Sequence, residues 1–355
     1  MDLPSFVREH VALAPMTTLE LGGSARFFVD ATDERTLRDA LAWAREHKIT
    51  HRILAGGSNS VVLDEGVSGL VIRVLTRGER VEPLGNDRVR VTAAAGEPWD
   101  AFVGRCTRRG LAGLECLSGI PGSVGATPIQ NVGAYGQDVS ETIESVRVWD
   151  VRAQRERVVP AAECRFGYRD SAFKDKHCHL NSCVILEVSF VLRERGIPRV
   201  RYSDLQVALY DAGVGEATIE DVRNAVISVR AKKSMLAREG DPNRRSAGSF
   251  FKNPVMARSK FAALASRVPV GQAPIPSWDE PSGAVKVAAA ALIERSGFSK
   301  GMRRGAVGLS SEHVLALVHH GGGTSAELLA FAEEIVAAVR DQWGVTLERE
   351  PVILR

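Results

Sequence analysis

No stretch of this 355-residue chain approaches the ~18–20 apolar residues that a helix needs to cross a bilayer. Cysteine is sparse too: five residues, Cys106, Cys116, Cys164, Cys178 and Cys183, odd in number and unevenly spaced, which argues against a disulfide framework. Met1-Asp2-Leu3-Pro4 offers no basic region followed by an apolar core, so no signal peptide is read and a cytoplasmic protein without a membrane partner is expected. Neither sign of charge dominates. With 46 Lys and Arg against 43 Asp and Glu, well mixed, nothing predicts a nucleic-acid surface. The basic clusters are short (Arg105/Arg108/Arg109, Arg230/Lys232/Lys233, Arg244/Arg245), although the last two flank a serine motif. Two familiar signatures are missing as well. No Gly-x-Gly-x-x-Gly opens a helix, which excludes the Rossmann fingerprint, and no Gly-x-Ser-x-Gly marks a hydrolase elbow. His177-Cys178-His179 with Cys183 lacks a usual zinc spacing, so no metal is expected.

What is present is densest at residues 119–136, Gly-Ile-Pro-Gly-Ser-Val-Gly-Ala-Thr-Pro-Ile-Gln-Asn-Val-Gly-Ala-Tyr-Gly. The run holds five glycines, two prolines and no charged side chain. A solvated linker would carry Ser, Lys or Glu instead of Ile, Val and Tyr. Glycine lets backbone approach a ligand closely, and successive N–H groups form nests for phosphate. Ser123, Thr127, Gln130 and Asn131 add neutral donors and acceptors suited to a heterocycle. The physical reading is a buried loop around a ligand with a phosphate part and a planar part; the competing one is a tight loop against a core. Gly56-Gly57-Ser58-Asn59, between strand-like Arg52–Ala55 and Leu70–Val74, is a second candidate phosphate loop.

The remaining pattern is α+β. Leu37, Ala40, Leu41 and Ala44 recur at helical spacing after Thr32/Asp33. Val89, Val91 and Ala93 alternate, a helix around Trp99–Cys106 closes at Gly110, and Val146/Val148 and Val184–Leu192 read as strands. Thr218 caps a helix with Asp221 at the capping-box position. Residues 236–246 read as an exposed connection. An alanine-rich helix at about 287–296, a strand at Val314–Val318 and a helix from Thr324 to Gly344 close the chain.

Three further segments could carry chemistry. Ser246–Pro254 places Ser249 after Ala247-Gly248 and before two phenylalanines, Lys252 and Asn253. Phe166–Ser171 sets Arg169 between an aromatic and an acid, and an arginine fork suits a substrate carboxylate. Leu347–Pro351 reads as a strand with Glu348 and Glu350 on one face. Each also has a bland reading: a capped turn, a surface ion pair and a solvated edge.

Taken together and in order, Thr17-Thr18-Leu19, Ala55–Asn59, Gly113-Leu114-Glu115, Gly119–Gly136, Tyr168–Ser171, Ala247–Pro254, Leu292-Ile293 with Gly297-Phe298 and the terminal Leu-Glu-x-Glu resemble the UDP-N-acetylenolpyruvoylglucosamine reductase family. The resemblance spans nearly the whole chain. It implies a two-part FAD-binding domain of the vanillyl-alcohol-oxidase type over 1–78 and 79–234, an α+β substrate domain over 235–345, and a C-terminal strand, 346–355, returning to the active site. It further implies non-covalent FAD, NADPH as reductant, UDP-N-acetylglucosamine enolpyruvate as substrate, and a monomer. Gly56, Gly57, Ser58, Asn59, Gly122, Ser123, Val124, Gly125, Gln130, Asn131, Gly133, Ala134 and Tyr135 would hold the flavin. Arg169 matches the arginine facing the developing enolate, Glu350 its partner acid and Ser249 the proton donor. Tyr202, Lys233 and Asn253 match substrate-binding positions, with Lys232 an alternative to Lys233, and the Tyr202 loop marks the longer form of the family. There are departures: Ala55, Ser60 and Arg349 are atypical, and the stretch between Lys233 and Ser249 is long. An oxygen-using oxidase on the same scaffold would share the flavin loops but have no use for Ser249, Arg169 and Glu350. A non-catalytic nucleotide-sugar-binding protein would be colourless.

Overall fold

The computed structural model describes residues 3–355; Met1 and Asp2, the head of the opening tetrapeptide read above, lie outside the described residues. Contacts divide the chain into two units, each discontinuous in sequence. The first takes the described residues up to Val11, Ser24–Gly57 and Val67–Leu236; the second takes Ala12–Gly23, Ser58–Gly66 and Ala237–Arg355.

In the first unit, strands Ser24–Ala31 and His51–Leu54 both pair in parallel with Val67–Val74. Parallel neighbours need a crossover, and helix Glu34–Glu46 supplies one, burying Leu37, Ala40, Leu41 and Ala44. Asp33 caps it by accepting the Thr36 N–H at 2.8 Å, as the sequence predicts. A second, antiparallel sheet runs in the order 155–160, 143–150, 183–194, 88–94, 79–85. Along its long strand Cys183–Glu194, Val184, Leu186, Val188, Phe190 and Leu192 are buried. Helix Trp99–Arg108 packs here through Phe102 and Trp99, whose rings lie 5.3 and 6.0 Å from that of Phe190. Helix Ile219–Lys232 begins with the Thr218/Asp221 capping box.

The second unit holds the antiparallel sheet 246–249, 316–319, 307–309, 303–304 and a small sheet 255–256, 285–287, 277–279. Helix Ser325–Trp343 covers its core with Leu328, Phe331, Ala332, Ile335 and Val339, opened by a Thr324/Glu327 capping box and closed by left-handed Gly344. Leu19, Leu21 and Val61 are buried in this same core, which is why two N-terminal segments belong to it.

Two expectations are corrected. Residues 236–246 are not exposed throughout: Asn243 is buried, donating to Ser311 Oγ at 2.9 Å and accepting the Ser311 N–H at 3.1 Å, while Arg244 and Arg245 both pair with Glu20. Polar composition suggested solvent, but Asn243, Arg244 and Arg245 find partners distant in sequence. Nor is Leu347–Pro351 a regular strand; Arg349 alone bridges Phe251, and the strand proper is Val352–Leu354, parallel to Ser60–Val62. Pro351 has no N–H to donate, so pairing changes partner there.

Charge organises the antiparallel sheet. Glu187 accepts from Arg80 at 2.8 Å and from Arg147 at 2.8 Å. The Arg80 bonds hold its carboxyl down at about 2, assisted by Arg147 and opposed by burial. A folded value below the ordinary 4.5 stabilises the fold fully above that pH and loses the contribution as pH falls toward 2. Glu187→Gln is therefore expected to lower the melting temperature near neutral pH and to show a shallower loss of stability than wild type between about pH 5 and 2 in circular-dichroism melts. Melting curves offset by a constant amount at every pH would assign the effect to packing instead.

Candidate active site

Gly56 and Gly122, one from each glycine-rich loop, meet in the first unit. A Cβ on Gly56 would lie 2.6 Å from Gly122 Cα, so the two backbones touch where only hydrogen fits. Gly57 and Gly122 both take positive φ, +63° and +127°. The run 119–136 has half of its residues buried and only Pro121 and Gly136 exposed. It folds as short helical turns, Val124–Ala126 and Thr127–Gln130, followed by a hairpin pairing Gly133 and Ala134 with Asp138 and Gln137.

Its phosphate nest is narrower than composition suggests. The amides of Val124, Gly125 and Ala126 donate to the carbonyls of Glu97 (2.9 Å), Ala95 (2.8 Å) and Ser123 (3.0 Å). Gly125 is small for packing reasons, since its Cβ would lie 2.6 Å from Ala95 Cβ. Ser123 stands apart: its Oγ is buried and finds no hydrogen-bond partner among the described residues. A buried hydroxyl without a partner costs ~1–3 kcal/mol, and a ligand oxygen would remove that cost. The glycine contact and this hydroxyl are what a bound dinucleotide would require.

Arg169 lies beside the run. It occupies the tip of a turn closed by a Gly167–Asp170 bridge, at a left-handed φ of +52° unusual for a side-chain-bearing residue. Its guanidinium donates to the Gly133 carbonyl and to Asn131 O at 3.4 Å, lies 3.5 Å from Asp138, and sits over the Tyr168 ring at 5.3 Å. Asn131 returns the contact through Nδ2 to Gly167 O at 2.9 Å and Ser171 Oγ donates to Ile129 O at 2.8 Å. Lys174, which the sequence reading passed over, donates to Gln130 Oε1 at 3.2 Å and to Arg169 O at 2.8 Å. Its only sequence signal was its place five residues after Arg169.

A third group in this unit gathers Tyr135, Tyr202, Arg230 and Lys233. The two tyrosine rings meet edge to face at 5.8 Å, and Lys233 pairs at 2.6 Å with Asp204 in the first turn of helix Ser203–Asp211. Lys232 is exposed, whereas Lys233 is half-buried. Burial pushes the Tyr135 phenol up, against the pull of Arg230, whose own guanidinium is pushed down by burial.

Ser249 and Glu350 belong to the second unit, where the backbone brings them together. Strand Ser246–Ser249 pairs with Ala316–His319 through a register shift, and Gly248 in that shift has a φ of +71°. Such a bulge re-aims the residue that follows it. Phe250 and Phe251 are buried against each other, ring centroids 5.5 Å apart. The Glu350 N–H donates to Phe250 O at 2.9 Å, and Lys252 N–H donates to Glu348 O at 2.9 Å. Glu348 is exposed and Glu350 half-buried, so the two acids do not share one environment. Asn59 buttresses this ladder through Nδ2 to Glu350 O (3.3 Å) and by accepting the Val352 N–H (2.9 Å); Ser58 lies in the same unit. Asn253 Oδ1 accepts the Ala289 N–H at 3.0 Å, at the start of helix Ala289–Arg295.

Residues 25–158 match the family described as FAD binding domain, and residues 241–354 match the C-terminal domain of UDP-N-acetylenolpyruvoylglucosamine reductase. The reductase of that name from Thermobifida fusca is 46% identical, covering 99% of this chain and 98% of the relative. The one from Saccharopolyspora erythraea is 44% identical, covering 97% and 94%. The crystal structure of the Thermus caldophilus reductase superposes with a TM-score of 0.67 at 26% identity, over 99% of this chain and 100% of that one.

The loop contact generates a test. Gly56→Ala drives a methyl into Gly122 backbone, so the purified variant is expected to lose most of its flavin, read as the ratio of visible flavin absorbance to protein absorbance. Gly215→Ala, where the added carbon meets open space, should keep it. Full flavin content in folded Gly56→Ala would remove the loop contact from the cofactor site.

Proposed function

The chain belongs to the UDP-N-acetylenolpyruvoylglucosamine reductase family, and from that premise we propose which of its residues carry each part of the reaction. It is an FAD oxidoreductase, a UDP-N-acetylmuramate dehydrogenase of peptidoglycan precursor synthesis that uses NADPH. When bound, FAD supplies two-electron chemistry, taking hydride from NADPH and delivering it to the β-carbon of the enolpyruvyl group. Residues of the two loops, Gly56, Gly57, Ser58, Asn59, Gly122–Gly125, Gln130, Asn131 and Gly133–Tyr135, hold it, with Ser123 Oγ as the donor still in want of an acceptor.

As the substrate is reduced, negative charge gathers on its carboxylate. Arg169 donates to that carboxylate, and fixed donors aimed at developing charge lower a barrier without reorganising. Its guanidinium is held on three sides, by Gly133, Asn131 and Asp138, which is the pre-organisation the role requires. Ser249 Oγ delivers a proton to the α-carbon, and Glu350 is the acid that accompanies Arg169. Tyr202, Lys233 and Asn253 bind the substrate, Tyr202 and Asn253 holding it or its diphosphate and Lys233 lying near Ser249.

The observation carrying this assignment is the ladder that sets Glu350 beside the residue following Ser249. The same reading takes 1–78 and 79–234 as the flavin-binding parts, 235–345 as the substrate domain and 346–355 as the returning strand. We further propose a cytoplasmic monomer; all five cysteines are free thiols, and no helix among the described residues is long and apolar enough to cross a membrane.

Two variants test the assignment by half-reaction. Ser249→Ala is expected to leave flavin binding and its bleaching by NADPH intact while substrate-driven recovery of flavin colour falls ~10²–10⁴-fold or more. Ser249→Cys should regain part of that rate, because a thiol is the better acid. Recovery within about tenfold of wild type in the alanine variant would place the proton elsewhere. Arg169→Met should slow the same half-reaction by an amount worth ~3–4 kcal/mol. Equal slowing of both half-reactions would make the arginine structural.

A further inference from the structure

We propose that Lys174 is the positioning residue for Arg169, setting the arginine's backbone and coupling it to the glycine-rich loop; this rests on the role given to Arg169 above. Arg169 needs such a restraint. Its left-handed φ of +52° is a conformation that a long side chain does not hold without help. The small turn around it is closed by hydrogen bonds between Gly167 and Asp170, which fix the flanks but leave the Arg169 carbonyl at the apex. Lys174 Nζ donates to that carbonyl at 2.8 Å, an anchor on the strained peptide itself.

The same ammonium donates to Gln130 Oε1 at 3.2 Å, so one cation ties the arginine's peptide to the loop whose Asn131 and Gly133 carbonyls receive the guanidinium. Both ends of Arg169 are thereby referenced to residues 130–133. The lysine is itself well founded. Its N–H donates to Ser171 O at 3.0 Å, Ser171 Oγ reaches Ile129 O, and the preceding Phe173 is buried with its carbonyl held by Asn181 Nδ2 at 2.8 Å. A half-buried ammonium with two directed acceptors, one on the loop and one on the turn, is oriented, not floating. Loss of it frees the Arg169 peptide to relax toward a right-handed or extended φ. That would swing the guanidinium away from its three acceptors.

The test is a double-mutant cycle of wild type, Lys174→Met, Arg169→Met and the double variant, on purified holoenzyme with flavin content matched. NADPH-driven bleaching and substrate-driven recovery are measured separately. Lys174→Met is expected to slow recovery ten- to a hundredfold, the cost of misplacing a catalytic group by about an ångström, with bleaching within about twofold. In the Arg169→Met background the lysine change should add less than about twofold, because a positioning residue has nothing left to position. Lys174→Arg, which retains a cation of similar reach, should recover part of the loss. A purely structural lysine would slow both half-reactions alike. Multiplicative losses in the double variant would overturn the inference while leaving the role of Arg169 standing. An Arg169→Met enzyme with normal recovery would instead overturn that role, and the inference with it.

Discussion

A buried backbone cannot leave its N–H and C=O groups unpaired, and that constraint governs the glycine-rich run. Eighteen residues of uncharged, half-buried chain need polar partners that their own side chains supply only in part. Beside the carbonyls of Glu97 and Ala95, several partners come from the segment 167–174: Arg169 on Gly133 and Asn131, Ser171 on Ile129, and Lys174 on the Gln130 side chain. Satisfying the loop and orienting the arginine are therefore one event. The left-handed strain at Arg169 is tolerated because so many bonds over-determine it.

The second unit solves a different problem by a different device. Ser249, the proposed proton donor, must stand clear of a sheet whose ladder would otherwise bury it. The Gly248 bulge supplies the break, and the buried Phe250–Phe251 pair anchors the chain immediately afterwards. The terminal segment then pairs with 250–252, and Pro351 forces it onto the strand at 60–62. Glu350 is thus held at the hand-over between two pairings, its carbonyl taken by Asn59. Glu20, pairing both Arg244 and Arg245, and Thr18, donating to Ser246 O at 2.6 Å, steady the approach to the bulge.

In both units charge is arranged for geometry more than for stability. Exposed ion pairs contribute little, but those beside the site fix directions: Asp204 aims Lys233 and Asp138 flanks Arg169. The reaction class asks for this. Hydride addition to an unsaturated carboxylate leaves charge on one group and wants a proton at another, and neither can wait for a side chain to rearrange.

Read alone, the sequence determined what depends on neighbours a few residues apart. The caps Asp33, Thr218/Asp221 and Thr324/Glu327, the helical stripe at 37–44 and the buried alternation at 184–192 are local patterns, and each formed as its spacing predicts. The density of glycine at 119–136 likewise marked a loop of close backbone contacts, and the ordered set of motifs marked the family. Tertiary structure alone decided which distant groups would pair. It brought Gly56 against Gly122, assigned Gly125 to Ala95, buried Asn243 in a stretch that composition sends to solvent, placed Lys174 under Arg169, and moved the terminal strand past Pro351. These outcomes rest on contacts across tens to hundreds of residues, where no periodicity carries a signal and only the satisfaction of buried polar groups and the exclusion of a Cβ select the partner.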